Sequence, residues 1–244
     1  MSSETSCTNC PLRRQAAFRA NEASEIAFIE RFKSRQMRVA AGLPILLEGE
    51  RSDRLYTILS GWAHRHRSLG DGRRQILNFL LPGDFVGLQQ ELDHDAMHGI
   101  EALSDVTLCV FLRQRLWHLY QEYPSLAYDL TWLCAHEELI VDENLLSVGR
   151  RSAVERIGML LIHLYKRAES VGLCSDGSVR MPISQQHIAD ALGLSLVHTN
   201  KTLRRLSLLG LIELRGGALR IGDLGRLRQL ADYHALPLRA RPLI

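Results

Sequence analysis

The hydrophobic rhythm of the chain changes twice. From Ala41 to about Val110, apolar residues come in short runs, "PILLEG", "RLYTILSGWAHRH", "RQILNFLLPGDFVGL" and "VTLCVFL", broken at Gly42, Gly49, Gly61, Gly70–Asp71–Gly72 and Pro82–Gly83. Short apolar runs bounded by glycine and Asp-Gly turns predict an antiparallel barrel or sandwich, and "LGDGRR" reads as the tip of a hairpin. After Tyr123–Pro124 the period becomes helical, with Leu126, Leu130, Leu133, Ile140, Leu145 and Val148 on one broad stripe up to Gly149. The predicted helix is longer than one that merely caps a small barrel. Its apolar spacings of three, four and seven fit packing against the same helix of a second subunit, with intrachain packing as the alternative.

A third pattern follows. "RRSAVERIGMLLIHLYKRA" predicts a helix with Val154, Ile157, Leu161 and Leu164 on its inner face, and residues 172–177 predict a loop. Ser184 is placed to cap a short helix, "QQHIADALG", whose Ile188, Ala189 and Leu192 turn inward; Gly193 supplies a tight bend, and Ser195 caps the next helix. "LLGLIEL" followed by "RGGALRIG" reads as a two-stranded hairpin, so helix, short helix, turn, helix and hairpin make a winged helix-turn-helix. The tail from Asp223 to Ile244 predicts a short helix and then a fraying end. The fold class is α+β, divided into an N-terminal segment 1–24, a strand-built domain 25–122, a long helix 123–150 and a winged unit 151–244.

The helix after Ser195 carries the most informative polar residues. At about 3.6 residues per turn, Thr199, Leu203 and Leu206 share an inward face, while Val197, Asn200, Lys201 and Arg204 project away from it. Lys201 can donate to guanine acceptors or to a phosphate, Asn200 can pair with an adenine edge, and Val197 offers an apolar surface to a thymine methyl. His198, Ser184 and Gln185 lie near helix starts, where phosphates are held.

Charge sharpens this picture. Residues 1–150 carry 16 Lys and Arg against 20 Asp and Glu, a balance of −4; residues 151–244 carry 14 against 7, a balance of +7. A basic last third points to a polyanionic partner for one domain, the alternative being a solvated basic surface.

With 244 residues, 46% of them hydrophobic, the chain is large enough for two cores. No run of about 18 apolar residues is present, and "MSSETSCTNCPLRRQ" has no apolar signal core, so a cytoplasmic protein without a membrane partner is expected. Five cysteines, Cys7, Cys10, Cys109, Cys134 and Cys174, form an odd set unsuited to a disulfide framework, which leaves reduced thiols or metal ligands. An enzyme finds no support: the chain has no HExxH, nucleophile elbow, Walker loop or dinucleotide glycine pattern in a suitable context.

Two long stretches resemble a known family. "AGLPILLEGERSDRLYTILSGWAHRHRSLGDGRRQILNFLLPGDFVGL" is similar to the cyclic-nucleotide-binding-like β-roll of the Crp/Fnr bacterial transcription regulators, and "ISQQHIADALGLSLVHTNKTLRRLSLLGLIEL" to their DNA-binding unit. The resemblance implies a homodimer held by the helix near 123–149, a two-fold-symmetric promoter site and contact with RNA polymerase. A ligand- or redox-sensing module that regulates a protein partner is the alternative function.

Three departures from the family pattern matter. Cyclic-AMP-binding members carry Gly-Glu-Leu followed by Arg-Ser-Ala, whereas here Phe85–Val86–Gly87–Leu88 runs into "QQELDHDAMHGIEAL" with no arginine for the phosphate, so cyclic AMP is not expected to bind. Oxygen-sensing Fnr members hold a [4Fe–4S] cluster on four cysteines; Cys7, Cys10 and Cys109 fall on three of those places and Ala16 on the fourth, which makes a cluster a candidate cofactor. Zinc at Cys7 and Cys10 with a histidine, or a thiol switch, is an alternative. Cys134 and Cys174 are expected to be small core or loop residues, and His94 and His98 to be solvated in a polar loop or to ligate a metal. In the reading helix, Val197, Asn200 and Lys201 stand where the well-studied members have a glutamate, a small residue and an arginine, so a different operator is expected. Glu137, Glu138, Asp142 and Glu143 cluster on the long helix, where they would repel their counterparts across a dimer axis.

Overall fold

The computed structural model describes residues 4–88, 95–234 and 239–244. Its strands fall on the short apolar runs and begin earlier than those runs suggest. A helix α1 (Ala23–Phe32) leads directly into β1 (Lys33–Val39), followed by β2 (Pro44–Leu46), β3 (Arg54–Ser60), β4 (Ala63–Ser68), β5 (Arg74–Leu80), β6 (Phe85–Val86), β7 (Gly99–Ala102) and β8 (Val106–Leu112). They form two four-stranded sheets, ordered β1-β8-β3-β6 and β2-β7-β4-β5. Strand β1, "KSRQMRV", has no buried residue and so left no apolar trace in the sequence. It is held by its antiparallel register with β8, Gln36 opposite Cys109 and Met37 opposite Leu108.

Two helices complete this part, α2 (Leu116–Glu122) and the long α3 (Pro124–Arg150), the latter spanning the predicted segment. Tyr56, Ile58, Leu80, Val86, Ile100, Leu108 and Val110 fill one core. A second core joins Phe28, Ile29 and Phe32 of α1 to Leu55, Phe111, Leu119, Leu126 and Leu130. The predicted stripe on α3 needs one correction. Leu126, Leu130, Leu133 and Ile140 are buried, but Leu145 is 72% exposed. Five residues beyond Ile140 is a turn of about 140° around the helix, which takes Leu145 off the stripe. Tyr128, Leu139 and Leu146 are exposed as well.

The chain divides into two compact units: Met1–Arg65, Leu80–Leu139 and Leu238–Ile244 form one, His66–Phe79 and Ile140–Pro237 the other. The second contains α4 (Ala153–Ser170), α5 (Gln185–Leu192), α6 (Leu196–Leu208), α7 (Leu224–Leu230) and a four-stranded sheet of β9 (Cys174–Ser175), β10 (Ser178–Arg180), β11 (Ile212–Arg215) and β12 (Ala218–Ile221), in the order β11-β12-β10-β9. The expected loop at 172–177 is therefore corrected to the start of a small hairpin, because Val179 pairs with Leu219 of the wing and carries Cys174 as its other neighbour. The wing's own hairpin stands as expected.

The tail is the other correction. After α7 it does not fray throughout: Leu243 and Ile244 are buried, and Arg241 lies beside Phe18 in a parallel bridge. Six residues are too few to show a period, so sequence gave no sign of this. His98 is also corrected, being buried rather than solvated, and His94 lies outside the described residues.

Candidate nucleic-acid interface

The helix pair α5 and α6 is built by local chemistry at three points. Ser184 Oγ accepts from His187 N at 3.1 Å while His187 Nδ1 accepts from Ser184 N at 3.1 Å, so two otherwise orphaned donors at the start of α5 are satisfied reciprocally. Gly193, at φ +62°, closes α5 in the left-handed region and turns the chain. Ser195 Oγ then accepts from His198 N at 3.2 Å to start α6.

With both ends fixed, the period of α6 decides what faces out. Thr199, Thr202, Leu203 and Leu206 are buried. Val197 is 79% exposed, and His198, Asn200, Lys201 and Arg204 are exposed too. Ser184 and Gln185 are exposed at the first turn of α5. The structure thus gives all seven candidate residues accessible positions on α5, α6 and their caps, with Arg204 in the second half of α6. Ser184 has its oxygen engaged as a cap, so it has its hydroxyl proton left to give an anion.

Two further basic side chains on the wing were not singled out in the sequence. Arg215 is at the wing turn, its side chain 86% exposed and 3.0 Å from Glu213, and Arg220 donates to the Asp176 carbonyl at 2.8 Å. Only the charge balance of residues 151–244 signalled them.

The cysteines make a second locus, in the first unit. Cys7, Cys10 and Cys109 line one cavity together with Leu12, Ile29 and Thr57. Burial pushes the Cys7 thiol up to about 11, against the opposing pull of the Lys33 ammonium. Burial, and then the neighbouring Cys7, push Cys109 up to about 12. Both are neutral thiols at ordinary pH. Cys7 N donates to the Glu30 carboxylate, which also holds Lys33 at 2.9 Å.

A cubane cluster does not fit this arrangement. The cavity has about 20 Å³ of free space, room for about one water molecule, and Leu243 and Ile244 form part of its wall. Ala16, at the fourth place, is exposed, and among the described residues no three His, Cys, Asp or Glu side chains are set to hold a metal ion. Cys134 is exposed on α3, a correction to the core or loop position expected, and Cys174 is half-buried with its sulfur 3.6 Å from Tyr165 Oη.

Near the expected nucleotide site, Arg113 donates to the Gly87 carbonyl at 2.5 Å, and buried Arg65 faces Glu137 at 3.3 Å. Gln89 to His94 lie outside the described residues. The acidic cluster of α3 is split by such pairings: Glu137 is taken by Arg65 and Glu143 by Arg151, while Glu138 and Asp142 are exposed. Among the described residues no helix is long and apolar enough to cross a membrane.

Comparison with known proteins agrees with both units. Residues 36–123 match the cyclic nucleotide-binding domain family and residues 155–230 the Crp-like helix-turn-helix domain family. The nitrogen fixation regulation protein FixK of Bradyrhizobium diazoefficiens is 30% identical over 92% of this chain and 93% of its own length. The transcriptional activator protein FnrL of Cereibacter sphaeroides is 29% identical over 86% and 85%. Among solved structures, FixK2 from Bradyrhizobium japonicum superposes with a TM-score of 0.74 at 27% identity, covering 82% of this chain and 98% of that one. A cyclic nucleotide-binding-like roll, a long helix and a capped helix-turn-helix in this order, matched along nearly the whole length by transcription regulators, identify the chain as a DNA-binding member of the Crp/Fnr family of transcription regulators.

Proposed function

We propose that the protein acts as a homodimer on a two-fold-symmetric promoter site, each subunit placing the start of α6 in the major groove. The observation that carries this reading is the exposure of Val197, Asn200, Lys201 and Arg204 on a helix whose opposite face is buried. In it, Asn200, Lys201 and Val197 meet base edges, while Ser184, Gln185, His198 and Arg204 hold phosphates. Tyr128, Leu139, Leu145 and Leu146, exposed along α3, supply the apolar face for a second copy's α3. The bound dimer contacts RNA polymerase.

The roll does not take cyclic AMP in this reading, since no arginine follows Gly87–Leu88 where the cyclic phosphate needs a charged donor. The protein is not an enzyme, and among the described residues no helix is long and apolar enough to cross a membrane. The test is gel retardation of its own upstream DNA by purified protein, with sedimentation to count subunits. A salt-sensitive dimer complex on a palindrome, unaffected by cyclic AMP, is expected. Retention of a protein partner by a Lys201→Ala, Arg204→Ala double variant that has lost no DNA affinity would instead favour the partner-regulating module.

A further inference from the structure

The segment Arg239–Ile244 is bound to the first unit by more contacts than an idle tail would make. Its backbone pairs with the chain around Phe18: Arg241 N donates to Ala17 O at 2.9 Å and Arg19 N donates to Arg241 O at 2.9 Å. The Arg241 guanidinium reaches the Asp84 carboxylate, donates to Pro82 O at 2.9 Å and stacks 4.9 Å from the Phe18 ring centroid. Both partners of that ion pair are largely buried, with side chains 14% and 4% exposed. Gly83 makes the approach possible, since a Cβ there would overlap the Phe18 ring. Further on, Thr57 Oγ1 donates to Ile244 O at 2.5 Å, and Leu243 and Ile244 enter the wall of the cavity that holds Cys7, Cys10 and Cys109.

We infer that the roll has a peptide-docking groove whose occupant is the chain's own segment Arg239–Ile244, and that this segment is a strap sealing the three-cysteine cavity. Arg241 is its anchor and Leu243 with Ile244 its plug. The plugged cavity has about 20 Å³ of free space, so a reagent or metal larger than a water molecule that enters it to reach the buried Cys7 must first lift the plug. For a group that adds reversibly to Cys7 the linkage is reciprocal: it weakens the strap's docking by the same factor by which the docked strap weakens its equilibrium binding.

The test is the alkylation rate of each cysteine in the reduced full chain, read by mass spectrometry of peptides after timed exposure to iodoacetamide at pH 8. Removing residues 239–244 is expected to speed modification of Cys7 and Cys109 by at least about tenfold, the equivalent of losing one well-buried apolar side chain, while exposed Cys134 keeps its rate. Adding the hexapeptide Arg-Ala-Arg-Pro-Leu-Ile to the shortened chain is expected to restore protection, and a scrambled peptide is not. Unchanged rates at Cys7 and Cys109 in a folded shortened chain overturn the inference. If the shortened chain unfolds, seen as equal acceleration at Cys134 and loss of helical circular dichroism, Leu243→Ala decides in its place, because it keeps the Arg241–Asp84 pair and opens only the plug. Faster Cys7 and Cys109 then support the strap, and wild-type rates refute it.

Discussion

Replacing Arg204 by alanine separates a phosphate contact from a base contact on the same helix. From Val197 to Arg204 the axis of α6 advances by about 10 Å at about 1.5 Å per residue, the length of about three base-pair steps. If the first turn enters the groove, Arg204 is the last of the candidate residues along α6 and meets the backbone, while Lys201, one turn earlier, reaches a base edge. Losing one phosphate contact in each half-site lowers the slope of log K against log salt by ~1.8 for a dimer, at ~0.9 per contact. Affinity then falls about equally on all sequences. Lys201→Ala instead costs about 1–3 kcal/mol in each half-site and relaxes preference at one position. Both side chains are exposed, so neither change alters folding stability by more than about 0.5 kcal/mol. Fluorescence anisotropy of a labelled upstream duplex, titrated at several KCl concentrations and repeated on single-base variants, measures slope and discrimination together. An Arg204→Ala protein with the wild-type salt slope, or one that has lost discrimination at a single position, would refute this placement of α6.

Three other outcomes follow from the geometry. Thr199 is fully buried and its Oγ1 has no hydrogen-bond partner among the described residues, so Thr199→Val, of nearly the same shape, is expected to stabilise the winged unit by about 1 kcal/mol in thermal or urea unfolding; a loss of that size refutes it. Ser195→Ala removes the cap on His198 N and is expected to cost about 1 kcal/mol, seen as a lower Tm together with weaker DNA binding. The folded roll holds Cys7 and Cys109 protonated to higher pH than the unfolded chain does, with values near 11 and 12 against 9.0. More protons on the folded state means stability that is complete below pH 9 and is lost as pH rises through 11 to 12; Cys109→Ala is expected to flatten this loss in urea midpoints measured from pH 8 to 11.

Legibility in the sequence followed burial. The long helix, the reading helix and the two serine caps were readable because each depends on residues within one or two turns, and the apolar period of α6 alone assigns Leu203 and Leu206 inward and Lys201 and Arg204 outward. Strand β1 was not, because its polar residues are held by pairing with β8, more than sixty positions away in sequence. The strap was hidden for a similar reason: Arg241 gains its meaning only from Asp84 and Phe18, and a basic residue near an apolar pair has no local signature. The cysteines were the intermediate case. Their spacing foretold that they would share a site, and the sequence could not show that Leu243 and Ile244 would occupy its wall.

The hairpin β4–β5 shows how a strand can be predicted correctly while its allegiance stays hidden. "LGDGRR" turns as expected, with Leu69 N donating to Arg73 O at 2.8 Å, and β5 is the outer strand of its sheet. An outer strand leaves alternate carbonyls without a neighbouring strand, a cost unless something else donates to them. Here Asn144 Nδ2 donates to Leu77 O at 2.8 Å and Arg167 Nη1 to Phe79 O at 2.8 Å, two carbonyls on the same side of β5. Gln75 Nε2 donates to Ala191 O at 2.9 Å, and Arg74 faces Asp190 at 3.3 Å. Residues 66–79 thus belong with the helices of the winged unit, and their stability should follow that unit. Leu206→Ala, which opens a cavity beneath a fully buried side chain at a cost of about 2–5 kcal/mol, puts this to the test. Hydrogen exchange at Ile76 to Phe79 is expected to accelerate along with α5 and α6, while Leu55 to Ile58 in β3 keep their protection. Equal protection of Ile76 to Phe79 in wild-type and Leu206→Ala proteins would mean that the hairpin draws its stability from the roll, and that the carbonyl contacts of Asn144 and Arg167 hold nothing in place.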